Sequence, residues 1–160
     1  MPEFICNASP LQYLHQLGLL HLLSELMKKI IVPAAVAREI EAGLASGVDL
    51  PDLNALEWIE IRQPQAAKIS NLVTDLGAGE TEVLILAFES EDAVVILDDA
   101  LARQAAERLN LKFIGTLGIL LNAKNKGLID KIEPILDDLD SLRFRLSAKT
   151  RQAVLELAGE

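Results

Sequence analysis

Residues 93–97 read Ala-Val-Val-Ile-Leu, an apolar run without polar alternation, and Asp98 and Asp99 follow at once. A strand with one wet face alternates apolar and polar residues. A continuous, β-branched run needs cover on both faces, which a parallel sheet between helical layers provides. This one segment therefore argues for an α/β architecture and places two carboxylates just beyond the end of a buried strand.

The rest of the chain supplies the alternation such a fold requires. Phe4 to Cys6 is a short apolar run, and Ser9-Pro10 offers a helix cap followed by a favoured first helical residue. Leu11, Leu14 and His15 share a helical face up to Gly18, and a second helical stretch runs from Leu19 to Met27. Ile30 to Val32 is strand-like and ends at Pro33, which opens a helix carrying Val36 and Ile40 on one face.

A breaker-rich loop holding Gly43, Gly47, Pro51 and Asp52 precedes an extended segment with Trp58, Ile59 and Ile61. After a polar stretch, Gly77-Ala78-Gly79 turns into a helix expected from Glu80 to Phe88. Beyond the buried run come a helix over 100–109, a strand over 111–114 and an apolar helix starting after Gly115 and ending near Gly127. Two charged helices, over 132–139 and 148–157, flank an irregular or strand-like basic segment over 142–146. Strand and helix alternating in this way predict right-handed crossovers, a parallel sheet with helices on both faces, and ligand sites at the carboxyl ends of the strands.

Composition narrows the function classes. At 51% hydrophobic but 4% aromatic residues, the core is aliphatic, which suits helices on a sheet more than a sandwich. No apolar run approaches the ~20 residues of a membrane span and the first residues lack a signal-peptide pattern, so a cytoplasmic protein with no membrane contact is expected. Cys6 is the only cysteine and sits in an apolar run, which predicts a buried thiol and rules out an internal disulfide. A net charge of −9 opposes non-specific wrapping of nucleic acid, so any contact with RNA must be local.

Asn7 follows the first strand, and Asp98 and Asp99 follow the buried one, so topology alone directs them to one edge. Glu39 and Glu80 stand on helices able to reach the same edge, and hard oxygen ligands of this kind suit Mg²⁺ or Mn²⁺. Each acidic residue also has a plainer explanation: Asp98 or Asp99 as a helix cap, Glu80 as a favourable charge in a first turn, Glu39 and Glu82 as solvated surface. Ser9 reads as a cap rather than a nucleophile, His15 and His21 lack zinc-ligand spacing, and the glycines at 77 and 79 read as a simple turn. Arg103, Arg108, Lys112, Lys124 and Lys126 are the candidate phosphate contacts.

Taken together, N-A-S-P-L (7–11), V-P-A-A-V-A-R-E-I (32–40), G-A-G-E-T-E (77–82), L-D-D-A-L-A-R (97–103) and G-T-L-G-I-L-L-N-A-K (115–124) resemble the PIN-domain superfamily, in a branch close to VapC-type toxins. The resemblance runs from Phe4 to about Phe144. It implies a three-layer α/β/α fold with a central, mostly parallel five-stranded sheet, a PIN-like domain over 1–146 and a C-terminal helix over 147–160 packed on or extending from it. It also implies a Mg²⁺- or Mn²⁺-dependent ribonuclease with RNA as substrate, an antitoxin partner and a homodimer. By position, Asn7, Glu39, Glu80 and Asp98 or Asp99 take the catalytic and metal-binding places, with Ser9 and Thr116 as polar neighbours. The departure is Asn7, where the family expects aspartate. An amide keeps one neutral carbonyl ligand and removes a full negative charge, so a catalytically degenerate binding module is the alternative expectation.

Overall fold

A computed structural model describes residues 1–65 and 76–160. The polar stretch expected before Gly77 lies, over 66–75, outside the described residues. Among the described residues five strands form one sheet: β1 (Glu3–Cys6), β2 (Ile30–Pro33), β3 (Ile59–Arg62), β4 (Ala93–Ile96) and β5 (Lys112–Ile114), in the order β3-β2-β1-β4-β5. Every pairing is parallel, so the sheet is wholly rather than mostly parallel. In register, Cys6 lies beside Ile96, and Ile96 beside Ile114.

Among the described residues eight helices flank the sheet: α1 (Ala8–Gln16), α2 (His21–Met27), α3 (Ala34–Ala45), α4 (Ala78–Glu89), α5 (Ala100–Arg108), α6 (Thr116–Asn125), α7 (Glu133–Ser141) and α8 (Ala148–Leu157). The result is the three-layer α/β/α architecture. Helices α1 and α2 touch α6, whereas α4 touches β1, β2, β4 and α5. The core between the layers is aliphatic: Ile5, Leu84, Val95, Ile96, Leu97, Ile119 and Leu120 are all buried. Such close-packed burial is the main favourable term holding sheet and helices together.

Several local boundaries differ from the sequence expectation for physical reasons. The first helix starts at Ala8, so Asn7 rather than Ser9 holds the cap position. Helix α1 ends where Gly18 takes φ 73°, with its N–H bonded to the carbonyl of His15 and that of Leu19 to Leu14, a glycine stop that permits the turn into α2. Helix α4 begins at Ala78, two residues before Glu80, because Gly77 supplies the extended cap. Segment 142–147 is irregular, with Arg143 at φ 67°.

The last helix, α8, packs on α6 and buries Val154. The Glu160 carboxylate beyond it accepts hydrogen bonds from the N–H groups of Ile132 (2.7 Å) and Glu133 (3.2 Å), at the start of α7. Lys124 pairs with the same carboxylate at 3.2 Å. No helix among the described residues is long and apolar enough to cross a membrane.

Candidate active site

Strand order reverses at the centre of the sheet: β2 and β3 lie to one side of β1, β4 and β5 to the other. At such a switch point the helices leave toward opposite faces and open a crevice beyond the strands' carboxyl ends. Asn7 leaves β1 there and Asp98 leaves β4. The Asn7 N–H donates to the Ile96 carbonyl at 2.9 Å, which continues the ladder to the crevice.

Three donors hold Asp98. The Thr116 N–H reaches Oδ1 at 2.8 Å, and the Thr116 hydroxyl reaches Oδ2 at 2.7 Å. The Ser9 hydroxyl adds a longer bond to Oδ2 at 3.3 Å. Thr116 is the first residue of α6, so backbone amide and helix dipole both favour a carboxylate at that spot. The contact is possible because residue 115 is glycine: a Cβ there would stand 2.9 Å from Asp98 Oδ1 and 4.0 Å from Arg103 Cζ.

Asn7 is 3% exposed, and its Oδ1 has no hydrogen-bond partner among the described residues. An asparagine at a helix cap normally accepts from the first turn, and this one does not. An orphaned buried acceptor costs about 1–3 kcal/mol, a cost that a cation offered to the oxygen removes. The neighbouring Cys6 thiol is buried, and burial, with a smaller contribution from the charge of Asp98, raises its pKa well above the ordinary thiol value. It is a core group, not a nucleophile.

Glu39 of α3 accepts a hydrogen bond from the Gly79 N–H, at the start of α4, at 3.1 Å. Partial burial and then the charge of Glu80 raise the Glu39 pKa above the usual carboxylate value, with the Gly79 N–H pulling the other way. The glycines are more than a turn. A Cβ at Gly79 would lie 2.6 Å from Glu39 Oε1, and one at Gly77 would lie 2.7 Å from Glu80 Oε2. Their bare backbones therefore let two like-charged side chains gather at the start of α4.

The remaining candidates divide clearly. Asp99 is the cap of α5, its Oδ2 accepting from the Ala102 N–H at 2.9 Å. Glu82, read from sequence as solvated, instead accepts from the Ala35 N–H at 2.8 Å and closes the first turn of α3, which Pro33 leaves without a side-chain cap. His15 pairs with Asp49 at 3.0 Å, away from the carboxylates. Lys124 is committed to Asp130 and Glu160, whereas Arg103 faces the Asp98 side of the crevice.

Among the described residues, no three His, Cys, Asp or Glu side chains stand together as a metal-binding group. The carboxylates fall into a Glu39–Glu80 pair and the anchored Asp98, and Asn7, with its orphaned oxygen, leaves the strand next to the one that leads to Asp98. In kind the donors fit a hard divalent cation: all are oxygens, two carry mutually unfavourable charge, and one is a buried carbonyl lacking a donor.

No curated protein matches the chain. Residues 3–160 match the DUF3368 family, a PIN domain, so the match takes in α8 as well as the segments quoted from the sequence. PIN domains point in general to nuclease activity on nucleic acid and to dependence on a divalent metal, in keeping with an all-oxygen site at a sheet switch point. With a wholly parallel five-stranded sheet and a family match over nearly its whole length, this chain belongs to the DUF3368 family of PIN domains.

Proposed function

We propose that the chain is a Mg²⁺- or Mn²⁺-dependent endoribonuclease, the VapC-like toxin of a type II toxin-antitoxin pair, acting in the cytoplasm as a homodimer and restrained by its antitoxin. The observation that carries the reading is Asp98, fixed by Thr116 and Ser9 beyond the strand that adjoins the orphaned Asn7 oxygen. Asn7, Glu39, Glu80 and Asp98 are the residues that would hold the cation. When bound, the cation supplies Lewis acidity toward a phosphodiester and eases deprotonation of water. Thr116 and Ser9 set the direction of Asp98, and the Gly79 N–H sets that of Glu39. Asp99 is assigned to the α5 cap rather than to the metal.

A second reading, a binding module that has lost catalysis, is favoured by two observations: Asn7 offers no charge, and the carboxylates do not gather into a group of three. One experiment separates the readings. A panel of structured and single-stranded RNAs is incubated with Mn²⁺, Mg²⁺ or EDTA and with the natural protein, Asn7→Asp or Asp98→Ala. The nuclease reading expects metal-dependent cutting by the natural protein that disappears in Asp98→Ala. Cutting only by Asn7→Asp would establish the binding module, and cutting that persists in Asp98→Ala would sink the site assignment.

A further inference from the structure

Beside Asp98 lies an open cavity of about 460 Å³, within the range of roughly 300–1,000 Å³ typical of small-ligand sites. Arg103, Phe113, Phe144 and Arg145 are among the residues that line it. We infer that this groove seats one unpaired RNA nucleotide next to the phosphate to be cut, its own phosphate between Arg103 and Arg145 and its base against the Phe113–Phe144 side. The inference deepens the nuclease reading and rests on it.

Charge is the first argument. The chain carries a net charge of −9, yet among the described residues neither Arg103 nor Arg145 makes an ion pair, while Arg38, Arg62 and Arg151 each do. Two unpaired guanidiniums therefore share the groove that Asp98 lines. Arg103 comes within 4.0 Å of the point where a Gly115 Cβ would stand, itself 2.9 Å from Asp98 Oδ1. At that range its charge offsets the repulsion Asp98 exerts on an approaching phosphate.

Shape is the second argument. The Arg103 guanidinium carbon stacks 4.9 Å from the Phe113 ring centroid, and Phe144 is fixed edge-on against Tyr13 with centroids 5.0 Å apart at 86°. Planar groups held in place beside cations suit a base with its phosphate, and a base can reach them only when unpaired. An acidic peptide would use the cations but leave the planar surfaces without a matching partner.

The test measures binding without catalysis. A labelled single-stranded RNA of about ten nucleotides is titrated in EDTA, by fluorescence anisotropy at several salt concentrations, against the natural protein, Arg103→Gln, Arg145→Gln, the double variant and Lys28→Gln, an exposed cation ahead of β2 at the far end of the sheet. Each arginine variant should weaken binding about tenfold and lower the salt slope by about one, while Lys28→Gln changes neither. Arg103→Lys should restore the salt slope but not the full affinity, because it returns the charge without the plane. Thermal midpoints show whether each variant is folded.

Unchanged affinity in the double variant, an equal loss in Lys28→Gln, or a hairpin duplex bound as tightly as the single strand would overturn the inference, as would no binding by the natural protein. Binding that depends on both arginines in a protein that cuts no RNA would keep the groove and sink the nuclease reading. Cutting by a protein whose arginine variants bind normally would sink the groove alone.

Discussion

Thr116 gives Asp98 both its backbone N–H and its hydroxyl, and it is fully buried while doing so. Thr116→Val keeps the shape but leaves a carboxylate oxygen without its shortest donor. Urea denaturation should show a loss of about 1–2 kcal/mol, with Thr116→Ser recovering most of it; full stability in the valine variant would mean the hydroxyl is replaceable by water. Glu39 is the opposite case. Its pKa is raised by burial and by Glu80, so the native state binds its proton more tightly than the unfolded chain does. Its contribution to stability is full below the ordinary carboxylate value of 4.5 and is lost as pH rises through the raised native value. Metal-free Glu39→Gln should therefore melt higher than the natural chain at neutral pH, and the difference should vanish in acid; a gap of the same size at both pH values would refute the burial argument. At this scale the sequence named Asn7 and Asp98 from their places after strands, whereas Thr116 and Ser9 entered as polar neighbours only through the family resemblance, Ser9's local pattern reading as a cap. The hydroxyl's real partner stands 89 positions away, a separation no local pattern reports.

Helix starts show the same division between local and distant causes. Asp99 caps α5 three residues ahead of the N–H it accepts from, so the local Asp-Asp-Ala pattern announces a cap, though not which of the two aspartates supplies it. The first turn of α3 is closed by Glu82 from α4, 47 positions on, and the start of α7 by Glu160, 28 positions from Ile132; neither was visible from sequence. The strands and most helix centres were legible because their apolar periodicity is written locally. The helix ends were less so, because their orphan N–H groups are satisfied by whatever tertiary packing brings near. This division makes Asp98 and Asp99 separable by experiment. Asp99→Ala should cost about 1 kcal/mol by loss of a cap and keep metal-dependent cutting. Asp98→Ala should remove cutting. If Asp99→Ala proves the inactive one, the assignment of metal ligand and cap is reversed.

Across the whole molecule, the proposed site has two halves: Asn7 and Asp98 at the ends of the adjacent strands β1 and β4, which the topology brings to one edge, and Glu39 and Glu80 on α3 and α4, beside Gly79 and Gly77. Sequence order predicted that Asn7 and Asp98 share an edge, since alternating strands and helices leave little choice of topology. It did not predict that, among the described residues, the carboxylates form no group of three, because that depends on side-chain directions. A cation shared by the halves would bind the folded chain and not the unfolded one, so it must raise stability by mass action, by about 2.7 kcal/mol at a hundredfold excess over Kd. Mn²⁺ should therefore raise the thermal midpoint of the natural protein and of Asp99→Ala, and do so far less for Asp98→Ala and Glu39→Gln. For Glu39→Gln the order should cross: above the natural chain in EDTA, below it in saturating Mn²⁺. A chain with a net charge of −9 attracts divalent ions over its whole surface, so a rise of equal size in every variant would mean diffuse screening rather than a site. Only a rise that follows Asp98 and Glu39 together shows the two halves acting as one centre.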